Sequence, residues 1–115
     1  MAVSVQASGT QSATVTTEHT LETVEATGVF TLHVDTVNMV AGDVLELRVK
    51  QIILTGGTVR TLFFGHFFGA QLTDDLIKVS VPVANDLSDA GSLTFTLKQT
   101  FGTSRDFPWK VLKIV

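Results

Sequence analysis

Few side chains in this chain can do chemistry, and their spacing keeps them apart. His66 sits in the run Leu62-Phe63-Phe64-Gly65-His66-Phe67-Phe68, with Phe64 and Phe68 on its own strand parity. A histidine held between rings is either a general base or a hydrogen-bonded core residue, and its surroundings favour the core residue. His19, Glu22 and Glu25 resemble a metal-ligand set, but on a strand His19 and Glu22 point to opposite faces, so they read as a solvated polar face. Asp74 and Asp75 diverge on an extended chain, and no calcium-loop pattern of ligands and glycine surrounds them. With Thr73 they read as a turn. The chain has no cysteine, so it has no thiol nucleophile, disulfide or thiolate zinc site. It has no Gly-x-Ser-x-Gly elbow, and its Gly56-Gly57 pair is followed by Thr58-Val59-Arg60 rather than by the Lys-Ser or Lys-Thr of a phosphate loop. Any two of the 11 carboxylates can converge for glycoside hydrolysis, yet nothing singles out a pair. The expectation is a protein that is not an enzyme, with no catalytic, cofactor or metal residues.

Contact chemistry is better represented. Asp43 to Phe68 reads as two strands joined by a turn at Gly56-Gly57, because glycine supplies the positive φ of a two-residue hairpin loop. That register puts Leu45, Leu47 and Val49 on one face with Phe64, His66 and Phe68, as core. The other face carries Glu46, Arg48 and Lys50 beside Phe63, Gly65 and Phe67. Phe63 and Phe67 with Arg48 and Lys50 form a candidate interface, since aromatic and Arg side chains are what interface centres use. A register slip of one residue would exchange the two faces.

The elements around this hairpin are extended. Residues 1–17 are small, rich in Ser and Thr, and free of charge. Val3 and Val5, then Ala13 and Val15, alternate with polar residues on either side of Ser8-Gly9. They form a first hairpin or edge strand, or else an arm that pairs with a neighbouring subunit's sheet. Glu18 to Glu25 is β-branched enough to be a strand. Phe30, Leu32 and Val34 alternate with Thr31, His33 and Asp35, and Met39 and Val40 sit in a loop placed to fold over one end. Ile77, Val79, Val81 and Val83 read as the inward side of a further strand whose Pro82 belongs at an edge or strand end. A polar turn is expected from Asn85 to Gly91, then a strand with Leu93, Phe95 and Leu97 inward. The last strand, Phe107 to Val115, is apolar on both parities, which adds Leu112 and Ile114 to the candidate interface. Together these make an all-β fold: a single sandwich of about eight antiparallel strands, jelly-roll-like, over residues 18–115, with residues 1–17 as arm or edge strand.

At 115 residues the chain is one domain, and it can bury roughly two-thirds of its unfolded surface. Its net charge is −3 and its eight Lys and Arg are scattered, so no basic stripe tracks a phosphate backbone and nucleic acid is excluded as a partner. Hydrophobic residues make up 44% and charged residues 17%, a balance that leaves apolar area for assembly. The apolar runs are too short to span a bilayer, and nothing at the start reads as a signal peptide.

Three segments carry a family likeness: VQASGTQSATVTTEHTLETV (residues 5–24), MVAGDVLELRV (39–49) and LKQTFGTSRDFPWKVLKIV (97–115). In these the chain resembles small virion structural proteins of tailed bacteriophages. The likeness implies a capsid decoration or cement protein, or a tail- or fibre-associated protein, assembled into the virion in the host cytoplasm. It transfers no site residue. The state it implies is a homo-oligomer, a trimer at a capsid local three-fold, bound to the major capsid protein or other virion proteins. The competing class is an adhesion module for host-surface carbohydrate, which would need a flat aromatic platform. Trp109 within a strand, and the absence of Tyr, speak against it.

Overall fold

The computed structural model describes residues 2–86 and 93–114. Among these, nine strands follow the chain: β1 (Val3–Ser12), β2 (Glu18–Val24), β3 (Gly28–Asp35), β4 (Val44–Gln51), β5 (Arg60–Phe68), β6 (Ile77–Val79), β7 (Val83–Asn85), β8 (Leu93–Phe101) and β9 (Asp106–Ile114). A short 3₁₀ turn, Thr73–Asp75, precedes β6. One antiparallel sheet runs β1-β9-β3-β6, with β7 also on β3, and the other runs β2-β8-β4-β5. Counting β6 and β7 as one broken strand, the chain crosses between sheets at every connection except the β4–β5 hairpin. That is the connectivity of an eight-stranded jelly roll. Of the polar turn expected at Asn85 to Gly91, Asn85 is the last residue of β7. Residues 87–91 lie outside the described residues, as does Val115.

Period-2 alternation builds the core. Phe30, Leu32 and Val34 of β3, Leu45, Leu47 and Val49 of β4, Leu93, Phe95 and Leu97 of β8, and Phe107 and Val111 of β9 are buried between the sheets. Met39 closes one end, as its loop position suggests, whereas Val40 stays exposed. Residues 3–12 form one continuous edge strand on β9, bulged between Val5 and Ala7, rather than a hairpin of their own.

The hairpin register is one residue away from the expected one. Val44 faces Phe68, Leu45 faces Phe67, Leu47 faces Gly65 and Val49 faces Phe63, with a bulge after Val49. Phe63 and Phe67 therefore point inward and pack against the core, while Phe64, His66 and Phe68 point outward. The cause is the connection. Residues 52–59 form a loop, and the tight turn closed by Gly57 N–H on the Leu54 carbonyl (2.8 Å) sits away from the strand ends, so it does not set the pairing. Gly65 lets the two inward rings close up, since a Cβ there would lie 3.0 Å from Phe67 and 3.6 Å from Phe63.

The strand expected at 77–83 is inverted over its first half. Lys78 and Ser80 are buried, and Ile77, Val79 and Val81 are about half exposed. Pro82 has no N–H to give a ladder, and Ser80 takes over the pairing to β3. Its hydroxyl accepts from Leu32 N–H (2.9 Å), its own N–H donates to the Leu32 carbonyl (2.9 Å), and its carbonyl accepts from the Thr31 hydroxyl (2.9 Å). The parity shifts across this break, so Val83 and Asn85 of β7 turn inward. Lys78 keeps its charge paired with Asp75 (2.9 Å) and lies 4.9 Å from the Phe67 ring centre.

These placements reverse the expected cost of changing the rings. Phe63→Ser with Phe67→Ser should lose of the order of 2–3 kcal/mol per ring, while Phe64→Ser with Phe68→Ser should lose less than about 1 kcal/mol in total. Urea-unfolding midpoints of the two double variants measure this. Equal losses would show that the register is wrong.

Candidate interaction surfaces

The six candidate interface residues do not form one patch. Phe63 and Phe67 are partly buried and pack against the core, on the inward side of β5 and away from Arg48 and Lys50. Arg48 and Lys50 lie on the outer face of the four-stranded sheet, and Leu112 and Ile114 lie on the outer face of the five-stranded sheet, on the opposite side of the sandwich.

On the four-stranded sheet, charges neutralise one another. Arg48 pairs with Glu46 (2.8 Å) and Lys50 with Glu18 (2.6 Å), whose carboxylate also accepts the Thr96 hydroxyl (2.7 Å). Burial alone would raise the Glu18 pKa, but the hydrogen bonds from Lys50 and Thr96 and the nearby cations outweigh it and hold the carboxyl below its ordinary value. Along edge strand β5 stands a row of rings: Phe64, His66 and Phe68, with centres 5.5 and 4.3 Å apart and planes inclined by 51° and 45°. Arg48 lies 4.8 Å from the Phe64 ring centre, and Glu46 is 3.7 Å from His66. Phe101 joins this surface across Val44 from Phe68. The expected mixture of charges and aromatics is therefore present, with Phe64 and Phe68 in the places assigned to Phe63 and Phe67.

The outer face of the five-stranded sheet is aliphatic. Register places Val3 and Val29 on either side of Ile114, Val5 beside Leu112, and Ile77 and Val79 beside Asp35 and His33. Val3, Val5 and Val79 are 60%, 58% and 54% exposed, values that leave these side chains without internal cover. The two-sided apolar pattern of β9 signalled this face. Ile77 and Val79 went unseen because their alternation reads as core until Pro82 breaks the strand. At one end the face hollows into an open cleft of about 450 Å³ lined by Ser8, His33, Asp35, Ile77, Pro108 and Lys110. Burial and then the Lys110 charge keep the His33 pKa below its ordinary value.

No three His, Asp or Glu side chains among the described residues gather where a metal ion could sit. His19 accepts the Thr14 N–H through Nε2 (3.0 Å), His33 borders the cleft and His66 stands in the ring row. Among the described residues, Asp43 is the one carboxylate almost wholly removed from water, at 1% exposure, and it is structural. Its Oδ2 accepts the Val40 N–H (3.0 Å) and Arg105 Nε–H (2.8 Å). Burial would raise its pKa, but these bonds and the Arg105 charge reverse the effect and bring it below its ordinary value of 3.8.

A carboxyl whose pKa is lowered by folding adds stability above its unfolded pKa and loses it as pH falls through the folded one. Stability should therefore decline on acidification from about pH 5 downward, and Asp43→Asn should flatten that decline while costing about 1–3 kcal/mol at neutral pH. Glu18→Gln should flatten it less. Unfolding free energy measured against pH for the three proteins checks this, and an unchanged acid slope in Asp43→Asn counts against the pairing.

No family model, no curated protein and no solved structure matches this chain.

Proposed function

We propose that this chain is a non-enzymatic structural protein of a bacteriophage particle, a capsid decoration protein that forms a homotrimer and seats on the shell of the major capsid protein. The observation that carries it is the uncovered aliphatic face of the five-stranded sheet, where Val3, Val5, Val79, Leu112 and Ile114 lie among few charges. Apolar patches of this kind on a small domain mark contact sites. The likeness of residues 5–24, 39–49 and 97–115 to small phage virion proteins supports the same reading. The jelly-roll order supports it too, being an architecture that viral capsid domains use. The virion is then the protein's location, reached by assembly in the host cytoplasm.

A tail-associated module for host carbohydrate is the second reading, favoured by the ring row of β5. The inclined rings make a poor flat platform for a sugar, which ranks it below decoration.

Val79→Asp with Leu112→Asp should leave the protein folded and trimeric while weakening its binding to undecorated capsid shells by at least about tenfold, or 1.4 kcal/mol. Light-scattering mass and co-sedimentation with shells measure the two properties. A monomeric wild type that ignores the shells, or one that instead binds on a glycan array, would overturn the proposal.

A further inference from the structure

The four free sheet edges differ in what they can accept. Unpaired strand edges attract other strands unless they are broken, charged or covered. The β6–β7 edge is interrupted at Ser80 to Pro82, where the ladder is replaced by side-chain bonds. The β2 edge carries Glu18 and Glu22, so two such edges would set carboxylates against each other. The β1 edge is ten residues long, has no charge or proline, is bulged only once, between Val5 and Ala7, and displays Val3 and Val5. The β5 edge is nine residues long and carries Phe64, His66 and Phe68 outward, with Arg60 as its one Lys or Arg.

We infer that β1 of one copy adds to the β5 edge of the next, so that the trimer closes head to tail through strand pairing. This rests on the proposal that the protein self-associates, and it names the contact. Strand order places the two edges on opposite flanks of the same molecule. β1 ends one sheet on the side where β2 ends the other. β5 ends its sheet on the far side, where Lys78 of β6 reaches over Phe67. A molecule with complementary edges on opposite flanks makes a heterologous contact, which closes into a ring when the rotation allows. The chemistry of the two edges is complementary. Outward valines of β1 meet outward rings of β5, a β-branched and aromatic pairing that stabilises neighbouring strands. No like charges oppose each other, because β1 has none. A contact between two copies of β1 would be equally free of charge repulsion, but it stops at a dimer and leaves the ring row of β5 uncovered.

The cysteine-free chain allows this to be trapped by disulfides. Val3→Cys and Ser8→Cys place thiols on the outward face of β1, and Thr61→Cys and His66→Cys place them on the outward face of β5. Mixing a β1 variant with a β5 variant under mild oxidation should link unlike chains, and a chain carrying one of each should run as a covalent trimer on non-reducing electrophoresis. Each single variant alone should stay unlinked. Two outcomes overturn the edge contact while leaving self-association standing: β1 variants that link to themselves, or no linkage in any combination although the wild type sediments as an oligomer. A wild type that sediments as a monomer overturns both.

Discussion

A carboxylate taken out of water must find partners or give up its charge, and Asp43 keeps its charge. It stands at the start of β4, and its partners come from two other parts of the chain: Val40 of the preceding loop and Arg105 of the β8–β9 turn. Around that pair the same end of the sandwich is tied together. Gln99, fully buried, donates to the carbonyls of Phe101 and Thr103 and accepts from Arg105 N–H. Ser104 donates to the Ala13 carbonyl, and Ala13 N–H donates to the Arg105 carbonyl. Gly102, at φ +94°, has to lack a side chain, because a Cβ would overlap the Asp43 carboxylate and lie 2.9 Å from its Cα. Both sheets and the β1–β2 connection are thereby fixed to one another at one end.

The two outer faces handle exposure in opposite ways. On the four-stranded sheet Arg48 pairs with Glu46 and Lys50 with Glu18, so the middle of that surface has little net demand for an external ion, and the rings of β5 are its main apolar contacts. On the five-stranded sheet Val3, Val5 and Val79 face water beside the partly buried Leu112 and Ile114. The core side-chain pattern of both sheets is nearly the same, so the difference between the faces does not come from what folding requires.

Much of the fold was legible because alternation on β3, β4 and β8 is unbroken, and each of those strands has neighbours on both sides that enforce its inward parity. β5 was misread through its turn. Gly56-Gly57 fits a two-residue hairpin locally, but the ladder begins only at Gln51 and Arg60 and is bulged beside Val49. On an edge strand with phenylalanines on both parities, composition cannot choose between registers. β6 misled for a related reason: Ile77 to Val83 alternates cleanly, and only the hydroxyl of Ser80 substituting for a ladder at Pro82 turns the first half over. Of the candidate surface, Leu112 and Ile114 were visible because β9 is apolar on both parities. Phe64 and Phe68 were hidden by the same slip that misplaced Phe63 and Phe67.

The interruption at Ser80 to Pro82 also gives the molecule a direction. A sheet that can be lengthened at both margins has no natural stopping point, and copies of it build ribbons and fibres. Here one margin of the five-stranded sheet offers the ten-residue strand β1, bulged once between Val5 and Ala7, while the other has a proline where a donor would be needed and a serine already paired to β3. Growth by that sheet alone is one-sided, like a tile with a tongue and no matching groove in the same layer, so that sheet cannot be lengthened at both margins into a ribbon.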